Sequence, residues 1–137
     1  MNLKNFCSLD EGETIDAVKR ITGVSPSETI SYGFVVEEGW IRFRQCGDNI
    51  YEDYHTNYWD DCDTAITALD RYESWASELR GEYRTERMTA GKCWSEKTAF
   101  AQASVYVYDG EGDCIAEATL DEARYGLEDY ECEEGNC

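Results

Sequence analysis

Basic side chains are scarce in this chain. Only 12 Lys+Arg stand against 30 Asp+Glu, and residues 48–63 contain no Lys or Arg. The shortage speaks against one class of function. Affinity for DNA or RNA rests on Lys and Arg neutralising phosphates, and here the surface carries the phosphate's own sign. Stacking aromatics without a basic groove do not overcome that repulsion, so direct nucleic-acid binding is disfavoured. Anionic lipids are repelled in the same way. Proline occurs once, at Pro26, which argues against a linker-rich chain. No apolar run approaches the ~20 residues needed to span a bilayer. Met1 to Asp10 lacks the basic and apolar regions of a signal peptide, so a cytoplasmic protein with no membrane partner is expected.

The motifs of catalysis and of metal binding are also missing. The chain has no G-x-x-x-x-G-K-[ST], no G-x-G-x-x-G ahead of a helix and no G-x-S-x-G. Its one histidine, His55, lies near Asp53, Asp60, Asp61 and Cys62, whereas a zinc site takes four ligands, usually His and Cys. The seven cysteines, at 7, 46, 62, 93, 114, 132 and 137, include no C-x₂-C pair. An odd count without a secretory signal does not suggest a disulfide framework, and these residues read as buried or incidental thiols. Asp109-x-Glu111-x-Asp113 begins like a calcium loop. It then has Cys114 where glycine is required and Leu120 where the bidentate Glu falls, so it reads as a hairpin turn. No catalytic residue, metal or cofactor is expected.

What is present describes a folded protein. The 137 residues are 42% hydrophobic and 13% aromatic, with ten Tyr and four Trp, whereas disordered acidic chains are poor in aromatics. One domain over 1–137 is the simplest reading of that length. Glu11 to Thr22 reads as a helix with Ser8 or Asp10 as cap, an acid three residues on, and Gly23 as its stop. Ser25-Pro26-Ser27-Glu28 offers a helical turn or two. Residues 30–46 read as a β-hairpin, with Ile30, Tyr32, Phe34 and Val36 alternating and Glu37-Glu38-Gly39 as its turn. On the return strand, Arg42 and Arg44 are expected to hold local carboxylates. Residues 47–62 read as a long loop interleaving carboxylates with Tyr and Trp.

Asp63 to Arg80 carries the clearest helical stripe, Ala65, Leu69, Tyr72, Ala76 and Leu79, with Asp61 or Asp63 as cap and Gly81 as stop. Residues 82–97 read as a helical turn or a loop ending near Gly91. Residues 99–118 read as a second hairpin about Asp109–Asp113. Thr119-x-x-Glu122 has capping-box spacing and opens an expected helix over 119–132, followed by an acidic tail to 137. The fold expected is therefore α+β in the order α-ββ-α-ββ-α, with about four antiparallel strands packed by helices and an acidic surface.

The charge is unevenly placed along the chain. Residues 1–47 are net −2, residues 48–63 net −6, residues 64–97 neutral and residues 98–137 net −10, within a total of −18. In the first acidic stretch the candidate partner-binding residues are Glu52, Asp53, Asp60, Asp61 and Asp63, with Tyr54, Tyr58 and Trp59 as apolar anchors. In the second they are Asp121, Glu122, Glu128, Asp129 and Glu131. Such arrays can imitate the charge density of duplex DNA, about one charge per 1.7 Å of axis. In small size, acidity and lack of catalytic motifs the chain resembles phage-encoded DNA-mimic inhibitors of the anti-CRISPR and anti-restriction type. The resemblance is one of composition. It implies a non-catalytic inhibitor in the host cytosol whose partner is a basic nucleic-acid-binding protein, such as a nuclease or CRISPR effector. Against it stand an acidic adaptor for another basic protein, a halophile's solvated surface, and a small enzyme without a recognisable motif.

Overall fold

A computed structural model of the chain describes residues 1–79, 86–90 and 93–125, with 86–90 as backbone alone. Among the described residues it is an α+β structure of three helices and an antiparallel sheet. Helix α1 (Leu3–Cys7) is a short turn capped by Asn2, whose side chain accepts from the Asn5 N–H. Helix α2 (Glu11–Thr22) has the expected capping box. Asp10 accepts from the Glu13 N–H, the Glu13 carboxylate accepts from the Asp10 N–H, and Gly23 closes the helix at φ 78°. Residues 24–30, including Pro26, hold no helix.

Strands β1 (Ser31–Cys46) and β2 (Asn49–Cys62) follow, joined by a two-residue turn at Gly47-Asp48. Gly47 supplies the left-handed φ of 62° that such a turn needs. Helix α3 (Ala65–Glu78) then buries Ala65, Ala68 and Trp75, with Leu79 buried just beyond its end. The Thr64 hydroxyl accepts from the Thr67 N–H at its start, so Thr64 takes the cap expected of Asp61 or Asp63. Strands β3 (Glu86–Ala90), β4 (Cys93–Tyr108) and β5 (Cys114–Arg124) complete the order. The sheet runs β2-β1-β4-β3, with β5 also pairing β4. Strand β3 is antiparallel to β4, from Glu86 opposite Lys97 to Ala90 opposite Cys93.

Several expectations are overturned. First, Glu37-Glu38-Gly39 is the middle of one 16-residue strand rather than a turn. Both acids are buried, Glu38 at 2% exposure. Gly39 is needed for closeness, because a Cβ there would run into the His55 carbonyl oxygen of β2. Second, residues 47–62 form a turn and a strand rather than a long loop. Third, residues 119–124 belong to β5 rather than to a helix. Ala116, Ala118 and Leu120 are half-buried at period two, and this alternation prevails over the Thr119-x-x-Glu122 spacing. The remainder of the expected 119–132 helix, the acidic tail, Gly81 and Gly91 lie outside the described residues. Residues 86–90 and 93–97, expected as turn or loop, are strand.

The chain forms two compact units. The first comprises Met1–Glu37, Trp59–Glu73 and Gln102–Glu122. The described part of the second comprises residues 38–58, 74–79, 86–90, 93–101 and 123–125. In the first unit, Leu3, Phe6, Val18, Phe34, Val36, Val105 and Val107 are buried, and the Phe6 and Phe34 rings meet edge to face at 5.3 Å. Each such side chain contributes about 1.5–3 kcal/mol of burial. In the second unit the buried apolar residues include Ile41, Trp75, Leu79, Ala99, Phe100 and Ala101. Among the described residues no helix is long and apolar enough to cross a membrane.

Candidate partner-binding surface

The first unit concentrates the acid. It holds 17 Asp+Glu against 4 Lys+Arg, whereas the described residues of the second hold 7 against 5. The −6 stretch read from sequence is divided between them. Glu52, Asp53, Tyr54 and Tyr58 belong to the second unit, and Trp59, Asp60, Asp61 and Asp63 to the first. Asp121 and Glu122 also lie in the first unit. Glu128, Asp129 and Glu131 lie outside the described residues.

Within the first unit the acids differ in use. Asp60 pairs with the Arg71 guanidinium at 2.8 Å. Asp61 accepts from the Trp59 indole N–H at 3.2 Å, and the Trp59 ring meets Tyr106 edge to face at 5.4 Å. Asp63 is exposed just ahead of α3. Asp121 is half-buried and accepts from the Leu3 N–H at 2.8 Å, so it anchors the start of α1 on β5. Its first role is structural, and Glu122 beside it is exposed. Asp109 is likewise occupied: its carboxylate accepts from the N–H groups of Glu111 and Asp113 and closes the β4–β5 turn as expected.

The field of these acids is felt by their neighbours. Burial first, then Asp121 and Glu122, push the Tyr72 hydroxyl up from its ordinary value. Burial and Asp60 do the same to the Cys62 thiol, with Arg71 opposing and Asp61 and Asp63 adding. Burial, a hydrogen bond to Glu117 and the charges of Glu117 and Glu37 raise Tyr106 strongly. Tyr108 rises through burial, Asp61 and Cys114, Tyr32 through burial and Glu11, and Cys7 through burial, Asp70 and Glu73. Carboxylates from α2, β1, β2, α3 and β5, with Asp63 between β2 and α3, thus act on one unit. In the 1–47 window the six acids of residues 10–37 and Glu38 are offset by Lys4, Lys19 and Arg20 of the first unit as well as by Arg42 and Arg44 of the second, so the net is only −2.

The second unit offers aromatics and cations. Trp40 stacks on His55 at 5.0 Å, and Arg42 and Lys97 approach its ring to 5.2 and 5.0 Å. Arg44 pairs with Asp53 at 3.2 Å, as expected, and lies 5.5 Å over Tyr51. Tyr54 stacks on Phe100 at 5.1 Å and Tyr58 tilts against Trp75 at 6.2 Å. Tyr54 and Tyr58 nevertheless remain 51% and 63% exposed. Glu52 is exposed.

A cleft of about 180 Å³ in the first unit, lined by residues including Phe6, Cys7, Tyr32, Phe34 and Ile66, is below the ~300–1,000 Å³ of ordinary ligand pockets. No group of three or more His, Cys, Asp or Glu placed to hold a metal occurs among the described residues. Cys7, Cys46, Cys62 and Cys114 are unbridged thiols. Compared with known proteins, the chain significantly matches no protein-family model, no curated protein and no solved structure.

Proposed function

We propose that this chain is a non-catalytic binding protein whose first unit presents an anionic surface to a basic nucleic-acid-binding protein and competes there with DNA or RNA. The observation that supports it is the concentration of 17 acids against 4 bases in one folded unit, at exposed positions such as Asp63, Asp70, Glu73, Glu111 and Asp113. A field of that sign steers a basic partner to the surface and weakens with salt. Trp59, 45% exposed beside Asp61, supplies an apolar anchor of the kind that interface hot spots use. The array is carried by strands, helix ends and turns rather than by an acidic helix at 119–124.

The test is capture on the immobilised chain from cell extract at low salt. The expected result is a nucleic-acid-binding protein that duplex DNA or salt releases. A basic partner that salt releases and DNA does not would replace this reading with the adaptor reading. Recovery of no basic partner at low salt would refute both.

A further inference from the structure

On strand β2, Tyr51-x-Asp53 and Trp59-x-Asp61 set a ring and a carboxylate at the same spacing. In the second unit that arrangement holds a cation. The Arg44 guanidinium lies 5.5 Å over the Tyr51 ring and pairs with Asp53 at 3.2 Å. In the first unit the ring and the acid stand open. Trp59 is 45% exposed and Asp61 is exposed, and among the described residues no Lys or Arg lies over the Trp59 ring. The Trp59 indole N–H engages only Oδ1 of Asp61. Arg71, the base nearest in sequence, is turned to Asp60 at 2.8 Å, and Asp60 alternates with Trp59 and Asp61 along the strand, so it points to the other face. Behind Trp59, the Tyr106 ring meets it edge to face at 5.4 Å and Tyr108 tilts against Tyr106 at 6.2 Å. On β4 these two tyrosines alternate with Val105 and Val107, which are fully buried, so the rings lie on the strand's more open side.

We infer that Trp59 and Asp61, backed by Tyr106, take the guanidinium of an arginine from the basic partner, stacked on the indole and donating to Oδ2 of Asp61. The inference rests on the first-unit reading and names the group of the partner that this unit takes. Charge selects a cation, because the unit holds 17 acids against 4 bases. Geometry selects arginine over lysine. A planar guanidinium can lie on an indole and still present N–H groups to a carboxylate beside it, whereas an ammonium is a compact, strongly hydrated point charge. Arg44 over Tyr51 and Asp53 is the same recognition made within the chain. A second copy of this chain would bring another −18 to an acidic face, which disfavours it as the occupant. Arginines that meet phosphate when the partner holds nucleic acid would be occupied here instead, which gives competition by DNA a chemical basis.

The test titrates the full chain, labelled with ¹⁵N, with a peptide alternating Arg and Gly and with counterparts carrying Lys or citrulline at every Arg. The Trp59 indole N–H signal, assigned by its loss in Trp59→Phe, is the readout. The Arg peptide is expected to move that signal and to bind about threefold or more tightly than the Lys peptide. The citrulline peptide, flat but uncharged, is expected not to bind. Asp61→Asn keeps an acceptor for the indole and is expected to weaken the Arg peptide by about fivefold. Asp63→Asn removes the same charge two residues on and is expected to weaken it by less than about twofold. A Trp59 signal unmoved at saturation, equal affinities of the Arg and Lys peptides, or equal effects of the two substitutions would overturn the inference. So would a dimer in sedimentation equilibrium that Asp61→Asn dissociates, since the site would then belong to a second copy. The peptides need no captured partner. An unmoved signal therefore ends this inference while capture and DNA release still decide the first-unit reading, and failed capture ends that reading while the Trp59 signal still decides whether the site takes arginine.

Discussion

The two units use the same strands differently. In the first, β1 packs Phe34, Val35 and Val36 into the core, and acids decorate the surrounding turns, helix ends and strands. In the second, β1 and β2 carry aromatics paired with cations, and the described residues are close to charge balance. One covalent strand therefore passes from a unit of net −13 to one whose described residues are net −2. Charge placement follows the folded units rather than stretches of sequence.

Glycine breaks this comparison most sharply. Gly39→Ala is expected to destabilise by about 3 kcal/mol or more, because its Cβ would meet the backbone of His55 and Thr56 rather than a movable side chain. Gly33→Ala in the first-unit part of the same strand meets only ordinary contacts at 4.0 Å. It is expected to be neutral or to stabilise by up to about 1 kcal/mol. Thermal or urea unfolding of the pair checks this, and equal losses would mean that the close approach of β1 and β2 is unimportant.

The anchor of α1 comes next. Asp121→Ala removes the acceptor of the buried Leu3 N–H and is expected to lose about 1–2 kcal/mol. Asp121→Asn keeps an acceptor and is expected to lose less. If both variants unfold like the parent chain, Asp121 is an ordinary surface acid, available to a partner as the sequence suggested.

Alkaline pH should act through the first unit. Tyr32, Tyr72, Tyr106 and Tyr108 are all raised from an ordinary value of 10.0. Below about pH 10 both folded and unfolded states keep these protons, and the stabilisation is complete. Above it the unfolded chain ionises first, so stability falls as pH rises through the folded values. Denaturant titrations across that range, with tyrosinate absorbance as a second signal, should show the fall, and Tyr106→Phe should flatten it. A pH-independent midpoint would contradict the acidic, partly buried setting assigned to these phenols.

The smallest effect is expected from the Arg44–Asp53 pair, both of whose side chains are nearly half exposed. A double-mutant cycle with Arg44→Ala and Asp53→Ala should give a coupling below about 1 kcal/mol that disappears in high salt.

How much could be read beforehand depended on burial. Helix α2 was readable because Asp10, Glu13 and Gly23 are local signals that act where they stand. Helix α3 was readable because one side is buried, and the Asp109 turn because its own carboxylate closes it. Strand β2 was not, because most of its residues are exposed on both faces and leave no buried alternation to detect. Gly39 misled for a related reason. Beside Glu37-Glu38 it resembles turn chemistry, while its actual cause is a neighbouring strand distant in sequence. Of the candidate surface, the acids near 60–63 and 121–122 could be named from sequence, but the division of the −6 stretch between the units depends on the fold.

The most direct test of the central claim is the dissociation constant of the DNA-releasable captured partner, measured against salt concentration. The chain itself is compared with a first-unit variant, Asp61→Asn/Asp63→Asn/Asp70→Asn/Glu73→Gln, and with Glu52→Gln in the second unit. The expected result is a steep salt dependence for the parent chain. The first-unit variant should show a shallower slope and at least about tenfold weaker binding at low salt, by loss of four charges from that unit, and Glu52→Gln should change little. A salt-independent affinity, or equal effects of the two variants, would contradict the assignment of the first unit as the anionic binding surface.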